Sequence, residues 1–253
     1  MSGPSLALEP EDLAAVVLSL KVATAAMLGG MPLALAVAWA LARGRFPGRA
    51  LLDALTHLPL VLPPVATGYG LLLLLGRRGV VGHALAGLGL VLAFRWTGAA
   101  LAAGVMAFPL MVRPMRQAIE AIDAEPLEAA RTLGAGPLTR FRRIVLPLAA
   151  PGVIAAAVLG FAKALGEFGA TITFVGAIPG ETLTLPTDIY QATQTPGDEG
   201  RALALCLVAA AIALGAILAS EALNRRARDS RLESPGVTRR SGGRGSRAAG
   251  TAG

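Results

Sequence analysis

Five stretches of this chain are apolar over lengths that match the thickness of a lipid bilayer, and this limits the fold more than any other feature. A bilayer core about 30 Å thick takes roughly 20 residues of helix to cross. The stretches lie at about 13–42, 51–75, 96–112, 148–172 and 202–222. Only 15% of the residues are charged, against about 25% in a soluble domain. The chain therefore reads as an all-α polytopic membrane protein. Within the second span, "LPLVLPPV" places Pro59, Pro63 and Pro64, which should kink or break the helix. Neighbouring helices can satisfy the freed carbonyls. Residues 80–94, bounded by Arg77, Arg78 and Arg95, are too few to cross at about 1.5 Å per residue. They read as an interfacial or re-entrant piece.

The basic residues set the orientation. With five spans, 17 of the 23 basic residues fall on one side. They follow span one (Arg43, Arg45, Arg49), lie between spans three and four (Arg113 to Arg143), or follow span five. The positive-inside rule then places the N-terminus outside and the C-terminus in the cytoplasm. A sixth span would put the arginine-rich tail outside. Residues 1–12 carry Glu9, Glu11 and Asp12 and lack the basic start of a secretion signal. They read as an external, periplasmic segment before a retained first span. Residues 223–253 are rich in Arg, Gly and Ser and read as a disordered cytoplasmic tail. That tail either anchors topology or touches anionic lipid. The net charge of +7 is accounted for by orientation, so no nucleic-acid partner is expected. The single Cys206, with His57 and His83 far apart, gives neither a disulfide framework nor a metal site. No cofactor is expected.

The loop from 113 to 147 is the charged exception. Ile119, Ile122, Leu127, Ala130 and Leu133 recur at helical spacing. Pro126 suits the first turn of a helix and Gly134 the left-handed residue that ends one. Pro137 starts a second short helix, which sets Leu138, Phe141, Ile144 and Val145 against Arg140, Arg142 and Arg143 and ends at Pro147. Helix, glycine turn and helix could rest on lipid head groups, or they could dock a soluble partner.

"EAARTLGAGPLTRFRRIVLP", Glu128 to Pro147, resembles the signature loop of binding-protein-dependent ABC importer permeases. That signature is Glu-Ala-Ala, three residues, Gly, nine residues, Ile, one residue, Leu-Pro. Glu128, Ala129, Ala130, Gly134, Ile144, Leu146 and Pro147 meet every fixed position. The resemblance implies a type I ABC importer transmembrane domain over 13–222, working as a homodimer with two ATPase subunits. Glu128, Ala129, Ala130, Arg131, Thr132, Leu133, Gly134 and Ala135 would couple it to the ATPase, with Gly134 as the turn and Glu128 and Arg131 positioning the helix. Three further segments, 57–79, 108–120 and 165–197, resemble the molybdate importer permeases. The last, "LGEFGATITFVGAIPGETLTLPTDIYQATQTPG", discriminates most. It implies molybdate as cargo and a periplasmic molybdate-binding protein as partner, with sulfate or tungstate as alternatives. Neither Lys21 nor Lys163 completes a G-x-x-x-x-G-K-[ST] phosphate loop, so ATP hydrolysis belongs to another chain.

Lys163 and Glu167 lie within the expected fourth span at i, i+4. Each alone costs about 2.5–3.5 kcal/mol at mid-bilayer. They should pair, either to fix helix packing or to line the translocation path. The loop from Thr173 to Gly200 has no Lys or Arg and carries Glu181, Asp188, Asp198 and Glu199. It is either a solvated loop or a docking surface for the binding protein. An intramembrane serine protease is excluded, because no serine occurs between Ser19 and Ser220. A carrier of two inverted halves would need matched repeats, and the chain has one signature loop.

Overall fold

A computed structural model describes residues 9–232, and they are helical throughout with irregular connections. Helix α1 (Pro10–Arg43) starts at a reciprocal cap between Glu9 and Asp12, with Pro10 in its first turn. It therefore begins inside the segment expected to lie outside the membrane. Helices α2 (Arg49–Val61) and α3 (Pro64–Leu75) replace the expected second span and meet at 115°. Leu62 and Pro63 between them are extended, with ψ of 142° and 135°. A proline disfavours helical backbone at the residue before it, and two in succession hold that short extended link open. Helix α4 (Val80–Gly87) has eight residues, about 12 Å of rise.

Helix α5 (Trp96–Glu120) runs beyond the apolar stretch that predicts it. A turn leads to α6 (Ala124–Thr132), then α7 (Pro137–Arg140). Pro147 does not stop the second loop helix. The course continues through a wider turn at Phe141–Val145 into α8 (Leu146–Leu165), where Pro147 sits in the first turn. Pro147 brings no N–H to that turn, a position where proline is tolerated. Helix α8 ends at Leu165, seven residues before the expected boundary of span four. Helices α9 (Gly169–Val175) and α10 (Leu185–Gln194) follow. The last helix, α11 (Glu199–Leu232), takes in ten residues expected to be disordered tail. Residues 1–8 and 233–253, including the rest of both expected terminal segments, lie outside the described residues.

Among the described residues four helical courses are long and apolar enough to cross a membrane: α1, α5, α7 through α8, and α11 up to Ala216. The bent pair α2 and α3 makes up to five. Helix α5 is packed between α1 and α8. Their contacts are built from small side chains, including Ala26, Ala34, Ala103, Ala107 and Ala156, filled in by Met106, Met111 and Met115. Lipid offers no hydrophobic drive between helices, so close approach of small residues does that work. The large apolar side chains point the other way: Leu28, Leu33, Leu73, Leu214 and Leu218 are exposed. Gly68 illustrates the tolerance. A Cβ there would sit 2.5 Å from the Ala170 carbonyl oxygen and 2.8 Å from Ala170 Cα. Backbone fills that space, so α3 and α9 approach this closely there because residue 68 has no side chain.

Candidate docking elbow and buried ion pairs

The α6–α7 elbow is formed by local chemistry. Gly134, at φ +78°, takes the left-handed conformation that ends α6. The Ala135 N–H donates to the Ala130 carbonyl and the Gly134 N–H to that of Arg131, which closes the end of the helix. No residue of α6 or α7 is buried. Glu128, Ala129, Arg131, Thr132, Leu133 and Gly134 are exposed, while Ala130 and Ala135 are half-buried. Leu133 departs from the amphipathic reading. It follows the last helical residue and is 87% exposed, with Leu138 at 67% beyond the turn. Two bare leucines therefore flank the glycine turn, next to Arg131 and Arg140.

The elbow is tied to the bundle at its base. Phe141 meets Trp39 of α1 edge to face at 5.1 Å. Arg43 Nη2 donates to the carbonyls of Ile119 (3.0 Å) and Ile122 (2.7 Å). A cation there suits the negative end of the α5 dipole. One turn earlier, Arg116 donates to Glu120 through Nε (2.8 Å) and to Asp53 of α2 through Nη1 (3.0 Å). His57 Nδ1 lies 3.3 Å from the same Asp53 oxygen.

Lys163 and Glu167 do pair, with Nζ donating to Oε2 at 2.5 Å. They do not share a helix, because Glu167 falls in the break between α8 and α9. Its second oxygen accepts the Ala170 N–H at 3.0 Å, so one carboxylate caps α9 and holds the cation of α8. Glu167 is 2% exposed. Phe168 beside it packs against Tyr190 of α10, the two rings tilted by 44° with centroids 5.1 Å apart. Pro64 and Val65 of α3 crowd Gly169. Four elements thus converge on this break. Lys21 of α1 sits 3.7 Å above the Trp96 ring.

At the far end of the bundle from the elbow is a constellation that the sequence reading missed. Arg201 at the start of α11 donates to Asp12 of α1 through Nε (2.8 Å) and Nη2 (2.6 Å), and to Asp188 of α10 through Nη2 (2.8 Å). Both carboxylates are buried. The Ser19 hydroxyl accepts the Leu185 N–H at 2.6 Å and adds a second tie between α1 and α10. Asp188 is therefore an internal group, a correction to its place on an acidic docking surface. Asp12 and Arg201 are 189 residues apart, so no local spacing reveals them. The one available signal was a charged residue at each edge of an apolar run.

Burial pushes the Asp188 carboxyl up to about 6. Arg201 pulls it down, and Asp12, which shares that guanidinium, pushes it up again. A raised carboxyl in the folded state adds stability that is fully present below the unfolded value of 3.8. That stability is lost as pH rises through about 6. Thermal unfolding in detergent should thus occur at higher temperature at pH 5 than at pH 7.5, and Asp188→Asn should flatten the difference. An unchanged slope in that variant would refute the assignment.

A bundle of lipid-facing helices with an exposed two-helix elbow is the membrane component of a transport system. The chain belongs to the family of binding-protein-dependent transport system inner membrane components, whose model matches residues 30–229. It is 54% identical over 216 residues to the molybdenum transport system permease protein ModB of Escherichia coli (strain K12), covering 85% of this chain and 94% of that one. It is 50% identical, with the same coverage, to ModB of Haemophilus influenzae. Its fold matches a bacterial alginate ABC transporter solved with an alginate pentasaccharide-bound periplasmic protein. That match has a TM-score of 0.71 at 20% identity, over 90% of this chain and 82% of that one. The chain is thus a transport component rather than an enzyme.

Proposed function

We propose that this chain is the permease subunit of a molybdate ABC importer in the bacterial inner membrane, with its N-terminus outside and C-terminus in the cytoplasm. The exposed elbow carries the reading. Apolar leucines held out from a rigid glycine turn fit a groove on a soluble ATPase better than they fit water. The signature residues Glu128 to Ala135 form that element, which would carry ATP-driven closure into α5 and α8. Two ATPase subunits, a second copy of this chain and a periplasmic molybdate-binding protein complete the working assembly. The likeness to ModB supports the cargo.

Lys163 and Glu167 fit a path for a dianion. A bare lysine in a low-dielectric path would trap molybdate. A lysine already neutralised by Glu167 can meet the passing oxyanion and release it. Uptake into vesicles with the cognate binding protein should be blocked by excess molybdate and tungstate and spared by excess sulfate. Block by sulfate alone would reassign the cargo. Gly134→Val should reduce ATPase co-purification and uptake by about tenfold. That is the factor corresponding to 1–2 kcal/mol of left-handed strain on a side chain. Wild-type uptake in this variant would count against the coupling role.

A further inference from the structure

The elbow and the Lys163–Glu167 break are the two ends of the α7–α8 course, and among the described residues a charged bridge offers a second route between them through the bent pair. Arg116 is one turn from the end of α5, where the elbow begins. Its Nη1 grips Asp53 Oδ1 of α2 at 3.0 Å. Helix α2 meets α3 at the extended Leu62–Pro63 link. Helix α3 is pressed against α9 at Gly68 and Ala170 with no side chain between them. Ala170 donates to Glu167. We infer that Arg116 and Asp53 act as positioning residues, transmitting displacement of the elbow to α3 and so to the Glu167 break.

Three observations favour transmission over simple stabilisation. First, both side chains are partly exposed, and solvent-screened pairs add little to fold stability. Second, Arg43 independently fixes the same end of α5 to α1, so α5 does not need Asp53 to stay in place. Third, Arg116 is oriented from behind by Glu120 at 2.8 Å, and His57 faces the same Asp53 oxygen. That arrangement holds a geometry at a junction between helices.

This inference rests on the ATPase-coupled reading above, and its test separates the two. The assembly of this chain with its ATPase and binding protein is labelled with an environment-sensitive fluorophore at Tyr69→Cys on α3, in a Cys206→Ser background. Adding ATP should change the signal in the otherwise wild-type complex. In Asp53→Asn and Arg116→Gln the change should fall about fivefold or more, the lower end of typical coupling between sites. ATP consumed per molybdate imported should rise by a similar factor. The charge-swapped pair Asp53→Arg with Arg116→Asp, carried with Glu120→Gln so that the new carboxylate meets no like charge, should restore both. An undiminished ATP-driven signal in both single variants overturns the inference. So does a loss of folded complex in the single variants that the swap does not repair. Failure of the unmodified complex to import molybdate would defeat the cargo assignment alone, because the fluorescence change needs only ATP.

Discussion

Arg201→Leu is expected to destabilise the bundle by about 3–5 kcal/mol, the cost of removing one partner from a buried ion group. The variant leaves Asp12 and Asp188 buried together with no cation between them. Asp198, 3.5 Å from Arg201 and more exposed, can turn to water. Equilibrium unfolding in mixed micelles would read the loss. Neutralising the whole group, with Asp12→Asn, Asp188→Asn and Arg201→Leu together, should recover most of it. In that variant the uncompensated charge is gone and mainly packing and amide hydrogen bonds remain to be adjusted. A single variant as stable as the parent would mean that the three helices are held by their apolar contacts alone.

Glu167→Ala is the second large effect, and it concerns transport. The substitution strands Lys163 in an apolar helix and removes the acceptor for Ala170 N–H. The unpaired cation alone costs about 2.5–3.5 kcal/mol at mid-bilayer, on the order of a hundredfold in rate if it is borne by the transport step. Uptake should fall by that factor while the inserted amount of protein changes little. Glu167→Gln retains the cap and loses the charge, and it should show most of the same loss. The double variant Lys163→Ala with Glu167→Ala decides between roles. If it imports at the parental rate, the pair is only a packing device. If it stays defective, the charges themselves serve the path.

What the sequence revealed and what it concealed divide by the range of the interactions. The ends of the elbow were legible because each depends on one residue's backbone preference: Gly134 for positive φ, Pro137 for the first turn of a helix. The break between α2 and α3 was announced by Pro63 and Pro64, although a proline pair alone gives no angle. Among the site residues, the pairing of Lys163 with Glu167 was legible from two opposite charges in an apolar run. The helix end between them was not, because a spacing of four suits a continuous helix equally well. Gly166 and a carboxylate that prefers the free N–H of the next helix decided the matter. The expectation that Pro147 stops a helix failed because proline is accommodated in a first turn, and a widened turn precedes it. Arg201 with Asp12 and Asp188, and Arg116 with Asp53, join distant parts of the chain, and no period or motif points from one to the other.

The tie between Asp12 and Arg201 also imposes an order on biogenesis. Asp12 is made near the start of synthesis and its partner 189 residues later. At about 5–20 residues per second, the carboxylate waits roughly 10–40 s for its cation. Until α11 arrives, the first helix cannot bury that end without stranding a charge, so it must stay near the membrane surface or in the care of the insertion machinery. A chain cut short before residue 201 would keep that unmet charge permanently, a mark by which proteolytic surveillance could tell an unfinished bundle from a finished one.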